Sequence, residues 1–239
     1  GTMSTYMTFA GILMMAGLMV LSRMFFGRKL EPWAAMALGA IAICLFLTLT
    51  RQAWLGFVVG AAFLIYKRER KLLLALPVIL VLVKMLAPVA VKERLASFAN
   101  LKDATFLTRV DLWRGGWAIF KDHPLTGCGF KCVDKVYQQY PEHAKILARY
   151  KGMHNNVIQL AVDTGIVGVS AWISLWICYL VALYSLSARN TGERWINLGC
   201  AGVILAFLAG GMFEVNFYDS EVVMLMYFLM ALPFSDPKA

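Results

Sequence analysis

Apolar residues gather along this chain in seven runs, at about residues 6–26, 33–50, 53–66, 72–91, 157–186, 196–213 and 222–234. Short polar connections separate them, except for one long polar stretch, 92–153. Several runs approach the ~20 residues that cross a bilayer as a helix. The pattern therefore predicts an all-α integral membrane protein of about seven transmembrane helices, with one large extracytoplasmic helical loop between the fourth and fifth. Runs 53–66 and 222–234 are short and call for snorkelling ends or a thinned bilayer. Run 157–186 is too long for a simple crossing: it must tilt, break near Asp163-Thr164-Gly165, or project out of the bilayer. The expected division is 1–91 for helices one to four, 92–153 for a cap loop, and 154–239 for the last three helices.

Composition points the same way, since 60% of the residues are hydrophobic and only 15% charged, well outside the balance of a soluble domain. The chain opens on Gly1, and its first run is too long for a signal peptide, so it reads as the C-terminal part of something longer. Its net charge of +9 is membrane anchoring by Lys and Arg, with no nucleic-acid footprint. Arg23, Arg28 and Lys29 follow the first run, the Lys67 to Lys71 cluster follows the third, and Arg189 and Arg194 follow the fifth. Alternate connections are thus basic and cytoplasmic. The opposite face carries Arg51, the 92–153 loop and the acidic turn from Glu214 to Glu221. Loops of that length cross largely regardless of charge, so a basic loop outside is permitted.

Within the loop, Phe106, Val110, Trp113, Trp117 and Phe120 recur at helical spacing, predicting an amphipathic helix over 105–123 lying at the membrane surface. His123-Pro124-Leu125-Thr126-Gly127-Cys128-Gly129 ends it with turn residues. A second short helix is expected from Pro141, a favoured first-turn residue, to Arg149 or Tyr150. Cys128 and Cys132 are free to pair or not, depending on compartment and geometry. Cys44, Cys178 and Cys200, in apolar runs, read as small buried hydrophobes.

Few residues are suited to chemistry. His154 stands where the polar stretch meets the fifth run, and is either a general base or a helix-start histidine. Asp163, nine residues on, falls on the opposite face of a helix, so an acidic partner must come from elsewhere. Asp163 itself is a carboxylate in an apolar run, functional or a cap at a helix break. Arg51 either anchors to lipid headgroups or presents its fork to phosphate oxygens. Arg109 and Arg114 are five residues apart and cannot face the same way; Arg109 is preferred, because Gly115-Gly116 beside Arg114 suggests close helix packing. Glu214, Asp219 and Glu221 are exterior carboxylates, the last two a weak candidate for a divalent cation. There is no Gly-rich phosphate loop and no Cys/His metal cluster, so no metal and no cofactor is expected.

These residues also carry a resemblance. Arg51-Gln52-Ala53-Trp54-Leu55 resembles the Arg-x3-Leu motif of bacterial O-antigen ligases, and His154 with Gly165 fits their His-x10-Gly motif. Arg109 to Trp113, followed by Pro124 to Gly129, is similar to the Arg-x3-Trp and Pro-x-x-Gly-x-Gly pattern of the wider ligase and polymerase superfamily. Coverage runs over about 35–232. The resemblance implies a glycosyltransferase of the bacterial inner membrane with its active site on the periplasmic face. It would move a glycan from undecaprenyl diphosphate to a hydroxyl of an acceptor glycan or lipid A core, among membrane lipids and without metal. Arg51 and Arg109 would hold the diphosphate, and His154 would be the base. A polysaccharide polymerase is the alternative within the superfamily, and a transporter, with Asp163 and Arg51 lining its path, is the alternative outside it. Transfer should persist when purified full-length protein is assayed in chelator; strict dependence on a divalent ion would bring Asp219 and Glu221 back as ligands.

Overall fold

The computed structural model of the chain describes residues 6–29, 31–74, 88–96, 104–189 and 194–235, with isolated positions 77, 81 and 85. Among the described residues every regular element is helical and there is no strand. In order they are α1 (Tyr6–Phe26), α2 (Pro32–Leu47), α3 (Arg51–Arg68), α4 (Val89–Ala96), α5 (Ala104–Asp122), the single turn α6 (Val133–Val136), α7 (Ala144–Tyr150), α8 (Asn156–Arg189), α9 (Arg194–Gly210) and α10 (Ser220–Ala231). Half of the fourth apolar run, 72–91, lies outside the described residues. Among the described residues two helices are long and apolar enough to cross a membrane, α1 and the Asn156–Leu186 part of α8; Pro32–Leu47, Arg194–Gly210 and Ser220–Phe234 are shorter apolar helices.

Three details depart from the sequence expectation. Arg51 opens α3 instead of standing in the connection between the second and third runs, because the chain turns at Thr48-Leu49-Thr50, with Leu49 in the left-handed region at φ 52°. Trp54 fastens this turn by donating its indole N–H to the Leu45 carbonyl at 2.9 Å. The short helix of the loop starts at Ala144, after a turn through Pro141. Cys200 is buried, but Cys44 and Cys178 are exposed, since the outer face of an apolar helix accommodates a small hydrophobe as well as its core does.

The chain forms two compact units, Gly1–Ala99 with Leu180–Gly210 and Tyr218–Ala239, and Asn100–Tyr179 with Gly211–Phe217. In the first, α3 and α9 make the closest pairing, and α1 packs on both. Small residues four apart on each helix allow it: Gly56 and Gly60 face Ala206 and Gly202. A Cβ at Gly60 would stand 2.8 Å from the Gly202 carbonyl oxygen, and one at Gly56 would stand 2.6 Å from that of Ala206. Between apolar helices such close backbone approach is a main source of attraction. At one end of this unit Arg23 pairs with Glu31 at 2.9 Å and lies over the rings of Trp33 and Trp195. The hydrogen bond from Arg23 holds the Glu31 carboxyl below its ordinary range.

The second unit has a core of Leu112, Ile119, Cys132, Val133, Leu147, Met153 and Val162. The packed face of α5 is Leu112, Gly115, Gly116 and Ile119, while Trp117, in the aromatic stripe, stacks on Phe120 and stays 59% exposed. The two glycines decide this, since a Cβ at Gly115 would press on Leu147 and one at Gly116 on Met153 and Ile158. Tyr140 donates its hydroxyl to Asp122 at 2.8 Å; burial and that carboxylate push its pKa up to about 12.

Gly60→Leu should destabilise the first unit by about 1–3 kcal/mol, the usual cost of overpacking. Thermal unfolding in detergent measures it, and an unchanged transition would contradict the packing described.

Candidate active site

The second unit is built on a broken helix. Gly165 has φ 63° and ψ −164°, inside α8, a conformation open essentially to glycine. An unbroken helix would bond the amides of Ile166 and Val167 to the carbonyls of Val162 and Asp163. The break frees all four groups, and each buried unpaired group costs about 1–3 kcal/mol. The 123–129 turn takes up every one of them. Cys128 N–H donates to the Val162 carbonyl at 2.9 Å, and Gly129 N–H to that of Asp163 at 3.1 Å. Ile166 N–H donates to Pro124 O at 2.9 Å and Val167 N–H to Leu125 O at 3.3 Å. Backbone lies directly on backbone here: a Cβ at Gly127, itself at φ 69°, would collide with Asp163 and Thr164, and one at Gly165 with Leu125 and Thr126. A disulfide joins Cys128 to Cys132, with Cα atoms 5.7 Å apart.

Eleven residues before the break stands His154. Asn155 caps α8, its Oδ1 accepting from Ile158 N–H at 3.0 Å, the role for which Asn is favoured at a helix start. Both asparagines also bind the 211–217 segment. Asn155 Nδ2 donates to Met212 O at 3.0 Å, Asn156 N–H to Gly211 O at 2.7 Å, Asn156 Nδ2 to Asn216 Oδ1 at 2.6 Å, and Phe217 N–H to Asn156 Oδ1 at 3.2 Å. That segment carries Glu214. Its carboxylate lies 3.1 and 3.2 Å from His154 Nδ1, with both side chains mostly covered, 26% and 18% exposed. His154 is itself in the left-handed region at φ 46°, a strain of about 1–3 kcal/mol that only a well-held surrounding sustains. Tyr150 meets its ring edge-on at 5.9 Å.

What holds it is the residue before it. Met153 is fully buried; Trp113 Nε1 donates to its carbonyl at 2.9 Å, and its N–H donates to Gln159 Oε1 at 2.9 Å. Gln159 Nε2 then donates to Asp163 Oδ2 at 3.1 Å. As the helix geometry requires, Asp163 is not the histidine's partner. The partner is Glu214, in the 211–217 segment.

The other candidates separate by setting. Arg109 is half-buried on the Trp113 face of α5, one turn away, whereas Arg114 is 69% exposed in a 3.5 Å pair with Asp111. Arg51 belongs to the first unit, half-buried at the start of α3. In that same unit Asp219 caps α10, accepting from Val222 N–H at 3.4 Å and from the Thr8 hydroxyl; Glu221 follows it and accepts from Ser220. Among the described residues no three His, Cys, Asp or Glu side chains group as metal ligands. Sequence reasoning missed Gln159 and the indole of Trp113 as parts of the site; the paired asparagines after His154 were a visible cap signal whose second partner was not.

The profile of the O-antigen ligase family matches residues 35–173, more than half of the chain. The chain belongs to the O-antigen ligase family. No curated protein matches it. Members of the O-antigen ligase family are membrane proteins, and the chain has a ligase- or polymerase-like, glycosyltransferase-like function in O-antigen biosynthesis. The matched residues contain Arg51, Arg109, His154 and Gly165, while Glu214 lies beyond them.

Gly165→Ala should cost at least ~1–3 kcal/mol and release the 123–129 turn, seen as faster proteolysis of that turn in membranes. Cleavage at the wild-type rate would show that the turn does not depend on the break.

Proposed function

We propose that this O-antigen ligase family member transfers a glycan from undecaprenyl diphosphate to a sugar hydroxyl of an acceptor such as lipid A core, with His154 as general base. The observation that carries the proposal is the pairing of His154 Nδ1 with the Glu214 carboxylate. With its Nδ1 hydrogen donated to Glu214, a neutral imidazole keeps its lone pair on Nε2. Nε2 accepts the acceptor hydroxyl proton as the oxygen bonds to the anomeric carbon. The bond from that carbon to the diphosphate oxygen breaks, and its electron pair leaves with the diphosphate. Glu214 stabilises the imidazolium that forms, as a buried carboxylate does beside a catalytic histidine. Arg109 and Arg51 hold the diphosphate, where a guanidinium fork opposes the developing charge.

We also read the chain as about seven spans divided at 1–91, 92–153 and 154–239, in the inner membrane, with His154 on the periplasmic side. The Cys128–Cys132 disulfide supports that side, because disulfides persist in oxidising compartments.

In purified full-length protein given lipid-linked glycan and lipid A core, His154→Ala should abolish transfer, a loss of ~10²–10⁴-fold for a general base, with its amount in the membrane unchanged. Arg109→Ala and Arg51→Ala should fall similarly, while Arg114→Ala stays near wild type. Wild-type transfer by His154→Ala would remove the base assignment, and a longer polymer formed without lipid A core would make the enzyme a polymerase.

A further inference from the structure

We propose that Gln159 and Asp163 are positioning residues for the base, a buried relay that fixes the backbone of Met153 and so aims the imidazole of His154. The proposal rests on the reading of His154 as the base. Gln159 and Asp163 are 3% and 1% exposed, so neither is placed to touch a substrate in solvent. Their hydrogen bonds run in one direction only. The Met153 amide can only donate, so it fixes Gln159 with Oε1 toward it at 2.9 Å. The carboxamide NH2 then faces Asp163, whose Oδ2 accepts at 3.1 Å.

Three features make this a positioning device rather than ordinary core satisfaction. The amide it holds precedes a residue at φ 46°, where a single rotation would carry the imidazole away from Glu214. The other backbone group of Met153 is held separately, by the Trp113 indole at 2.9 Å, so the peptide is clamped from both sides. And Asp163 is anchored through its own carbonyl to Gly129 at 3.1 Å, which ties the base's backbone to the turn spliced into the broken helix. Loss of the relay should therefore lower kcat while leaving KM for the lipid-linked donor nearly unchanged.

The reciprocal swap tests it. Q159E keeps an acceptor for the Met153 amide but sets a second carboxylate against Asp163 in a buried place, and so should break the relay. Adding D163N restores both hydrogen bonds of the relay, since the new carboxamide donates to the new carboxylate. Two readouts are taken on full-length protein: kcat for transfer, and the rate at which diethyl pyrocarbonate modifies His154, mapped by mass spectrometry with His123 and His143, the other two of its three histidines, as internal references. Q159E should lower kcat by ~10-fold or more and change the His154 modification rate severalfold with the references unmoved. Q159E/D163N should recover most of both. Where Q159E does not accumulate, Gln159→Met, of similar volume with neither hydrogen bond, carries the same expectation. A double variant no better than Q159E, or a single variant with wild-type values of both, would overturn the relay. Should His154→Ala retain transfer while the modification pattern still follows the swap, the base reading falls and the positioning of the imidazole stands.

Discussion

Everything in the second unit follows from one backbone break. An interrupted helix must find partners for the backbone groups it frees, because a backbone donor or acceptor left unpaired in packed protein is costly. Gly165 makes the break, and four groups of the 123–129 turn supply the partners: two amides for the carbonyls of Val162 and Asp163, two carbonyls for the amides of Ile166 and Val167. The exchange is complete, and it admits no side chain at Gly127 or Gly165 because the two backbones touch there. The Pro-x-x-Gly-x-Gly turn and the glycine of His-x10-Gly are thus two halves of one joint.

The joint sets the helix turn that precedes it. Three turns of α8 separate Gly165 from Asn155, and on them stand Asp163, Gln159 and the cap that leads into His154. The asparagine pair fastens the same helix start to the 211–217 segment and delivers Glu214 to the imidazole. A histidine with φ 46° is thereby given a fixed backbone, a fixed carboxylate and one remaining nitrogen. That is the arrangement expected of a base whose proton acceptor must point one way.

Much of this was legible in the residues. The long fifth run had to tilt, break near Asp163-Thr164-Gly165 or project outward, and it breaks at Gly165; nine residues of helix rotation separated His154 from Asp163 and sent the search for a partner elsewhere, to the loop or the Glu214 to Glu221 turn. Helical period placed α5 and its aromatic stripe but did not show its second, packed face, because Gly115 and Gly116 carry no apolar signal although their missing side chains admit Leu147 and Met153. The relay through Gln159 was not legible, because one glutamine on an apolar helix carries no periodic signal and its partner, a backbone amide, carries none at all. Asp219 looked like half of an ion site from spacing alone; in three dimensions it is a helix cap that also accepts from Thr8, 211 residues away in sequence and beyond the reach of any local pattern.

The central claim is that His154 and Glu214 act as one catalytic unit. A double-mutant cycle on kcat for glycan transfer, with His154→Ala, Glu214→Ala and the pair, measures this directly. If the carboxylate works through the imidazole, the double variant is no slower than His154→Ala alone. Losses that multiply across the two sites would contradict it.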